Sequence, residues 1–154
     1  MIRIIRKIYL LFKACIGAFY FEYAWDLLAR KKIVKAEKQI QIGEKFIKKL
    51  PYEYLIMKGK IKFSLAKDLE CLELYKQGWK AVDEDSKLSK EDVLYLKSYM
   101  SGCFEVYKEF FDIDLQNIEL IPIESIDLQK VSKHWIKRFP SRDHPDWDKY
   151  AEQD

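Results

Sequence analysis

The stretch ECLELYKQGWKAVDED, residues 70–85, has the apolar spacing of a helix with a glycine set inside it. Its large apolar side chains recur three or four residues apart, which places them on one helical face: Leu72, Tyr75, Trp79 and Val82. Gly78 lies among them, although glycine in a helix interior costs about 1 kcal/mol relative to alanine. We therefore expect close contact with a second helix to offset that cost.

The spacing around Gly78 occurs twice in the chain. Intervals of 12, 4 and 3 residues separate a small, a small, a large and a small side chain in each of two units: Ala24, Ala36, Ile40 and Gly43, then Gly59, Cys71, Tyr75 and Gly78. Small side chains let the two helices of a hairpin approach closely, while the large one fills the space beside them. The pattern predicts antiparallel helical hairpins at residues 17–50 and 52–85.

These intervals resemble those of the tetratricopeptide (TPR) repeat family, whose units are antiparallel helix pairs. The resemblance covers about residues 17–85 and is degenerate, since Tyr20 and Leu55 stand where the family usually has tryptophan. It implies a scaffold whose concave face, formed by the first helices, holds a segment of a partner protein. Carried over by position, that face would include Phe21, Trp25, Leu28, Ile56, Lys60 and Phe63. The alternatives are a generic helical bundle and a core role for these aromatic residues.

A single helical domain is predicted over residues 1–139. After the two hairpins, Ser89 with Asp92 three positions later is a capping-box pattern. It predicts the start of a long helix over residues 89–111. The predicted fold class is therefore mainly all-α.

The pattern changes after this helix. The stretch NIELIPIES is rich in β-branched residues and predicts a short strand or an extended segment near residues 117–123, and Pro122 would confine any strand to a sheet edge. Ser125 is expected to cap a last helix over residues 126–139. The polar residues 140–154 are expected to form a C-terminal tail.

Charge is unevenly distributed along the chain. Residues 1–49 carry 12 Lys and Arg against 4 Asp and Glu, whereas residues 50–131 carry 11 against 16. An acidic surface can steer a basic partner protein such as a toxin domain, although solvated charges give the same pattern. The acidic residues predicted to face a partner are Glu70, Glu73, Asp83, Glu84 and Asp85.

The basic and aromatic N-terminus resembles the start of a signal peptide, but Lys13 interrupts its apolar run and no clear cleavage site follows. Lys13 and Glu22 would each cost about 2.5 to 3.5 kcal/mol near the centre of a membrane. We therefore expect no transmembrane span. A helix that lies on a membrane surface through residues 1–21 is an alternative function.

Nucleic-acid binding is a further alternative, through a basic helix at residues 30–49. Eight of its residues are cations: Arg30, Lys31, Lys32, Lys35, Lys38, Lys45, Lys48 and Lys49. Such a helix can neutralise phosphates, but solvated lysines are equally ordinary and no nucleic-acid motif accompanies the cluster. Nucleic acid is therefore an unlikely partner.

Groups for catalysis are few. Both histidines, His134 and His144, lie close to the C-terminus, and the sequence contains no nucleotide-binding glycine loop, nucleophile elbow or zinc-protease motif. His144 and the aspartates around it could bind a metal, but they lack thiolate ligands and a rigid spacing, so a solvated tail is favoured. We predict no catalytic residues, no metal and no cofactor.

The three cysteines, Cys15, Cys71 and Cys103, are an odd number without a paired spacing, and we expect them to be reduced core thiols. Together these observations predict a non-enzymatic protein-interaction module, such as a bacterial adaptor or an immunity or antitoxin protein that blocks a toxin. The expected location is the cytoplasm, with peripheral attachment to the inner membrane as the alternative.

Overall fold

The computed structural model describes residues 2–111, 113–115 and 118–140. The six α-helices in this part are α1 (Ile2–Ala29), α2 (Ile33–Gly43), α3 (Tyr52–Ser64), α4 (Asp68–Glu84), α5 (Lys90–Phe110) and α6 (Lys133–Arg138). Two short 3-10 turns, Ile123–Ser125 and Leu128–Lys130, precede α6. The described residues include no strand, and the fold is all-α, as predicted.

Helices α1 and α2 form one hairpin and α3 and α4 form a second. In the first hairpin the backbones nearly touch, because a Cβ atom built on Gly43 would lie 3.1 Å from the carbonyl oxygen of Gly17. In the second, a Cβ atom on Gly59 would overlap the ring of Tyr75. The predicted role of these glycines in close helix packing is confirmed.

Gly78 has a related role at the junction of three helices. A Cβ atom built there would lie 3.3 Å from Ile56 Cγ1 of α3 and 3.3 Å from Met100 Sδ of α5. Helix α5 therefore packs onto the second hairpin at Gly78, in addition to the close helix contact expected there. The largest fully buried side chains come from both hairpins, α5 and the returning chain: Phe21, Ile40, Ile56, Met57, Ile61, Tyr75, Val82, Tyr95, Leu96, Met100, Phe104 and Phe139.

The chain after α5 returns along α5 and is fastened to it by side-chain hydrogen bonds. The Asp92 carboxylate accepts from the N–H of Ser132 at 2.7 Å, and the Tyr95 hydroxyl donates to the carbonyl of Phe139 at 2.8 Å. The predicted cap of α5 is confirmed, since Ser89 Oγ accepts from the Asp92 N–H at 3.0 Å. Asp92 thus supports both the start of α5 and the returning segment.

Of the two forms predicted at 117–123, the strand is wrong for residues 118–123, which lie in irregular chain and the first 3-10 turn. The N–H of Ile121 donates to Ser101 Oγ at 3.0 Å instead of to a neighbouring strand. A β-branched composition does not form a strand without a partner strand for its hydrogen bonds.

Two helix extents also differ from the prediction. Within 17–50 the second helix ends at Gly43, because residues 44–47 turn and bring the Ile47 side chain against Gly17. A continuous helix over 126–139 is wrong, since Ser125 Oγ donates to the Pro122 carbonyl within a 3-10 turn and caps no helix. Residues 141–154 of the predicted tail lie outside the described residues.

Candidate functional site

The first half of α1 extends beyond its hairpin partner. Helix α1 has 28 residues and α2 has 11, and the two converge where Gly17 meets Gly43. Every residue from 3 to 12 is exposed, and Leu11 and Phe12 are 67% and 63% exposed. Cys15 is exposed for the same reason, so its predicted burial in the core is wrong.

Several exposed apolar residues between Ile4 and Phe19 share one side of the helix. At about 100° per residue, they occupy an arc of roughly a third of a turn, which we call the α1 apolar face: Ile4, Ile8, Leu11, Phe12, Cys15 and Phe19. Ile5 and Tyr9 are exposed beside this arc, and Leu10 is exposed on the opposite side. The core-facing residues of the second half lie on the opposite side of the helix: Gly17, Phe21, Ala24 and Leu28. The α1 apolar face therefore points away from the protein core.

Positive charge accompanies the α1 apolar face. Arg3, Arg6, Lys7 and Lys13 lie on the other side of the helix, and the first acidic residue of the chain is Glu22. Among the described helices, α1 included, none has both the length and the apolar character that a membrane crossing requires. This half of α1 is thus an amphipathic basic helix that makes few contacts with its own domain.

The six residues of the predicted concave face have different positions in the structure. Phe21, Leu28 and Ile56 are buried, and the Phe21 ring stacks on that of Tyr54 with centroids 4.2 Å apart. Trp25 is half-buried, with the Arg138 guanidinium 4.6 Å from its ring centroid. Three of the six therefore contact the protein's own helices, and Trp25, Lys60 and Phe63 remain accessible to different degrees.

Most of the predicted acidic residues form ion pairs or hydrogen bonds within the chain itself. Glu70 pairs with Lys62 at 2.5 Å, and Asp83 pairs with Lys97 at 2.6 Å. Asp85 Oδ1 accepts from the N–H of Lys87 at 2.9 Å, and Glu73 accepts from the Gln77 side chain at 2.9 Å. Glu84 is exposed next to Asp85. These residues do not form one free acidic surface.

The predicted basic helix at 30–49 is not a single helix. Residues 30–32 belong to the turn after α1, and residues 44–49 belong to the turns after α2. Lys35 and Lys38 are its only cations within α2. The basic residues therefore do not present the continuous helical row that a groove of duplex nucleic acid would receive.

A groove of about 740 Å³ opens between α3, α4, α5 and the segment at 121–124. We call it the α5 groove, and its walls combine aromatic, hydroxyl, thiol and charged groups: Lys60, Phe63, Ser64, Tyr75, Ser98, Tyr99, Gly102, Cys103, Glu105, Ile121, Pro122, Ile123, Glu124 and Pro140. Lys60 and Phe63 are the two residues of the predicted concave face that line it. The sequence-based prediction missed the α5 residues, because α5 lies outside the repeated units.

The Cys103 thiol at this groove is not poised as a nucleophile. A hydrogen bond with Cys71 and burial raise the pKa of the Cys103 thiol above its ordinary value, which keeps it protonated. His134 is exposed on α6, lies 3.8 Å from the Glu53 carboxylate and does not line the groove. The described part of the chain contains no group of three His, Cys, Asp or Glu side chains able to hold a metal ion. The possible ligands around His144 lie outside that part.

Comparison with known proteins finds no relative: no family model, no curated protein and no solved structure matches the chain.

Proposed function

We propose that the protein is a non-enzymatic interaction module that attaches to an anionic membrane surface through the α1 apolar face and presents its helical domain to a partner protein. The observation that carries the membrane attachment is the direction of that face. Large hydrophobic side chains are exposed on the side of α1 opposite the core, in a segment without acidic residues.

Both the exposed apolar side chains and the cations of this segment favour a membrane interface. Moving a large apolar side chain out of water stabilises by about 1.5 to 3 kcal/mol, and the α1 apolar face offers five such side chains. Each cation close to an anionic leaflet adds roughly 1 kcal/mol. These gains exceed the usual cost of confining one helix at a surface, as in amphipathic helices that lie in the interface.

The orientation of the domain is compatible with this attachment. From Ile4 to Phe19 the face is about 22 Å long at 1.5 Å per residue. It ends before Glu22, whose carboxylate pairs with Arg138 at 2.6 Å. Because the core packs on the opposite side of α1, a helix lying with this face in the membrane would keep the domain on the water side.

Vesicle sedimentation tests the proposal. Wild-type protein should sediment with vesicles that contain phosphatidylglycerol and much less with pure phosphatidylcholine vesicles. Replacing Ile8 and Phe12 by Glu should weaken sedimentation at least tenfold, because two charges would enter the apolar region. The matched control replaces Val34 and Leu69 by Glu, since these are exposed apolar residues on α2 and α4.

The control pair should sediment like wild type. Equal sedimentation of the Ile8/Phe12 variant and wild type would contradict the membrane proposal. So would concentration-dependent self-association of wild type without vesicles, together with no vesicle binding, which would identify a second copy as the occupant of this face.

The second part of the proposal concerns a protein partner, as for an adaptor or a toxin-blocking immunity protein. It draws on the accessibility of Phe63, which is 40% exposed beside the α5 groove. Of the predicted acidic residues, Glu73 and Glu84 are exposed and form no ion pair with a cation among the described residues. These two carboxylates are therefore the positions at which we expect a basic partner to be steered.

A further inference from the structure

The α5 groove contains a lysine without an acidic partner. Lys60 Nζ lies 5.8 Å from the centroid of the Trp25 ring and 5.9 Å from that of Tyr99. No ion pair to Lys60 occurs among the described residues, although the nearby lysines of α3, Lys58 and Lys62, are both paired with glutamates. Lys60 is therefore the cation of this helix that remains uncompensated.

An uncompensated ammonium in this position is costly. Burial lowers the pKa of Lys60 below its ordinary value, because the charged form loses water. Contact with two aromatic rings offsets only part of that loss. A ligand with a negative charge would supply the partner for the Lys60 ammonium that the protein itself does not provide.

A glycine on α5 shapes the same groove. Gly102 lies in the middle of α5 and lines the groove, yet a Cβ atom built on it would meet nothing within 4 Å. Unlike Gly43, Gly59 and Gly78, it makes no close helix contact that offsets its cost to the helix. Its effect is to leave space in the wall of the groove.

We propose that the α5 groove binds a monocarboxylate with an apolar or aromatic body, whose carboxylate pairs with the Lys60 ammonium. The body would lie against Phe63 and Tyr99, along the space beside Gly102. The volume of about 740 Å³ is in the range of small-molecule sites.

The charges at the groove favour a single negative charge on the ligand. Two exposed carboxylates, Glu105 and Glu124, line the groove together with Lys60. They would repel a ligand with several negative charges, such as inorganic phosphate or citrate. A ligand with one carboxylate paired with Lys60 carries no further charge for those two side chains to repel.

Calorimetric titration with 4-phenylbutyrate and its uncharged amide, 4-phenylbutyramide, tests the proposal without vesicles, so membrane attachment does not affect the result. The acid should bind at least about tenfold more tightly than the amide, since it adds a charge-assisted hydrogen bond in a partly desolvated site. Lys60→Met should abolish this preference and leave the affinity for the amide unchanged. Lys60→Arg should retain most of the preference.

Gly102→Leu fills the groove from its wall and should weaken both ligands, while thermal unfolding checks that each variant is folded. In protein with ¹³C-methylated lysines, saturating acid should raise the pKa of Lys60 alone. Equal affinities for acid and amide, a preference that survives Lys60→Met, or no saturable binding of the acid at millimolar concentration would each overturn the proposal.

Discussion

The two halves of α1 are both rich in large apolar side chains, but their surroundings differ. In the second half, Phe21 and Ala24 are fully buried against neighbouring helices. In the first half, Ile8 and Phe12 are exposed, because α2 covers α1 only from about Gly17 onward. Apolar composition therefore does not decide burial in this helix, and the reach of the partner helix does.

The side on which the apolar residues lie also changes along α1. In the second half they point toward the core, whereas in the first half the α1 apolar face points away and the cations occupy the core-facing side. A longer α2 would thus meet Arg6 and Lys13 around the side chain of Leu10. The first half is unsuited to its own core and suited to an external apolar surface.

The largest predicted effect comes from comparing the same change, phenylalanine to alanine, at one position in each half of α1. Phe21→Ala should lower the free energy of unfolding by about 3 to 5 kcal/mol, because it leaves a cavity beside Tyr54. Phe12→Ala should change it by less than about 0.5 kcal/mol. Urea denaturation followed by circular dichroism measures both, and similar losses would mean that the first half packs on the domain after all.

A smaller effect is expected where the two halves meet. Gly17→Val should lower the free energy of unfolding by about 2 kcal/mol, because the new side chain meets Ile47 and the carbonyl oxygen of Gly43. The control Ala14→Val is one helical turn earlier at an exposed position and should cost only about 0.5 kcal/mol. If the same denaturation assay finds Gly17→Val neutral, α1 and α2 do not approach as closely as the structure indicates.

The hairpins were predictable because the intervals of small residues report directly on backbone approach. Gly43 and Gly78 are weak helix formers, and the cost of each is offset at a helix contact. Local chemistry also predicted the Ser89 cap. The path of residues 118–123 was not predictable in the same way, because the Ile121 N–H donates to Ser101, a residue distant in sequence on α5.

The candidate site was predictable only in part. Repeat position predicted that Lys60 lines a binding surface, and Lys60 does line the α5 groove. It predicted the same for Phe21 and Ile56, which lie in the core. A repeat pattern does not tell how α5 and the returning chain cover the hairpins. The Ser89 cap predicted α5 itself, but nothing in the sequence around Gly102 indicated that this helix lines a groove. The TPR-like nature of the hairpins stays a proposal.

The smallest predicted effect concerns pH and separates the helical domain from the first half of α1. Hydrogen bonds from Lys62 and Lys67, at 2.8 and 2.7 Å, hold the pKa of Glu37 below its ordinary value of 4.5. A pKa that is lower in the folded state stabilises the fold at any pH above the unfolded pKa. This stabilisation is lost as pH falls below 4.5 and through the pKa of the folded state. Wild type should therefore lose stability in acid more steeply than Glu37→Gln.

Unfolding midpoints in urea between pH 7 and pH 3 measure this difference, which should be largest at neutral pH and narrow in acid. Parallel curves for the two proteins would show that Glu37 does not stabilise the contact of α2 with α3 and α4. The first half of α1 should not respond in this range, because it has no carboxylate before Glu22. Acid should thus weaken the helical domain while the amphipathic segment keeps its full positive charge, so the two regions are separable by pH as well as by mutation.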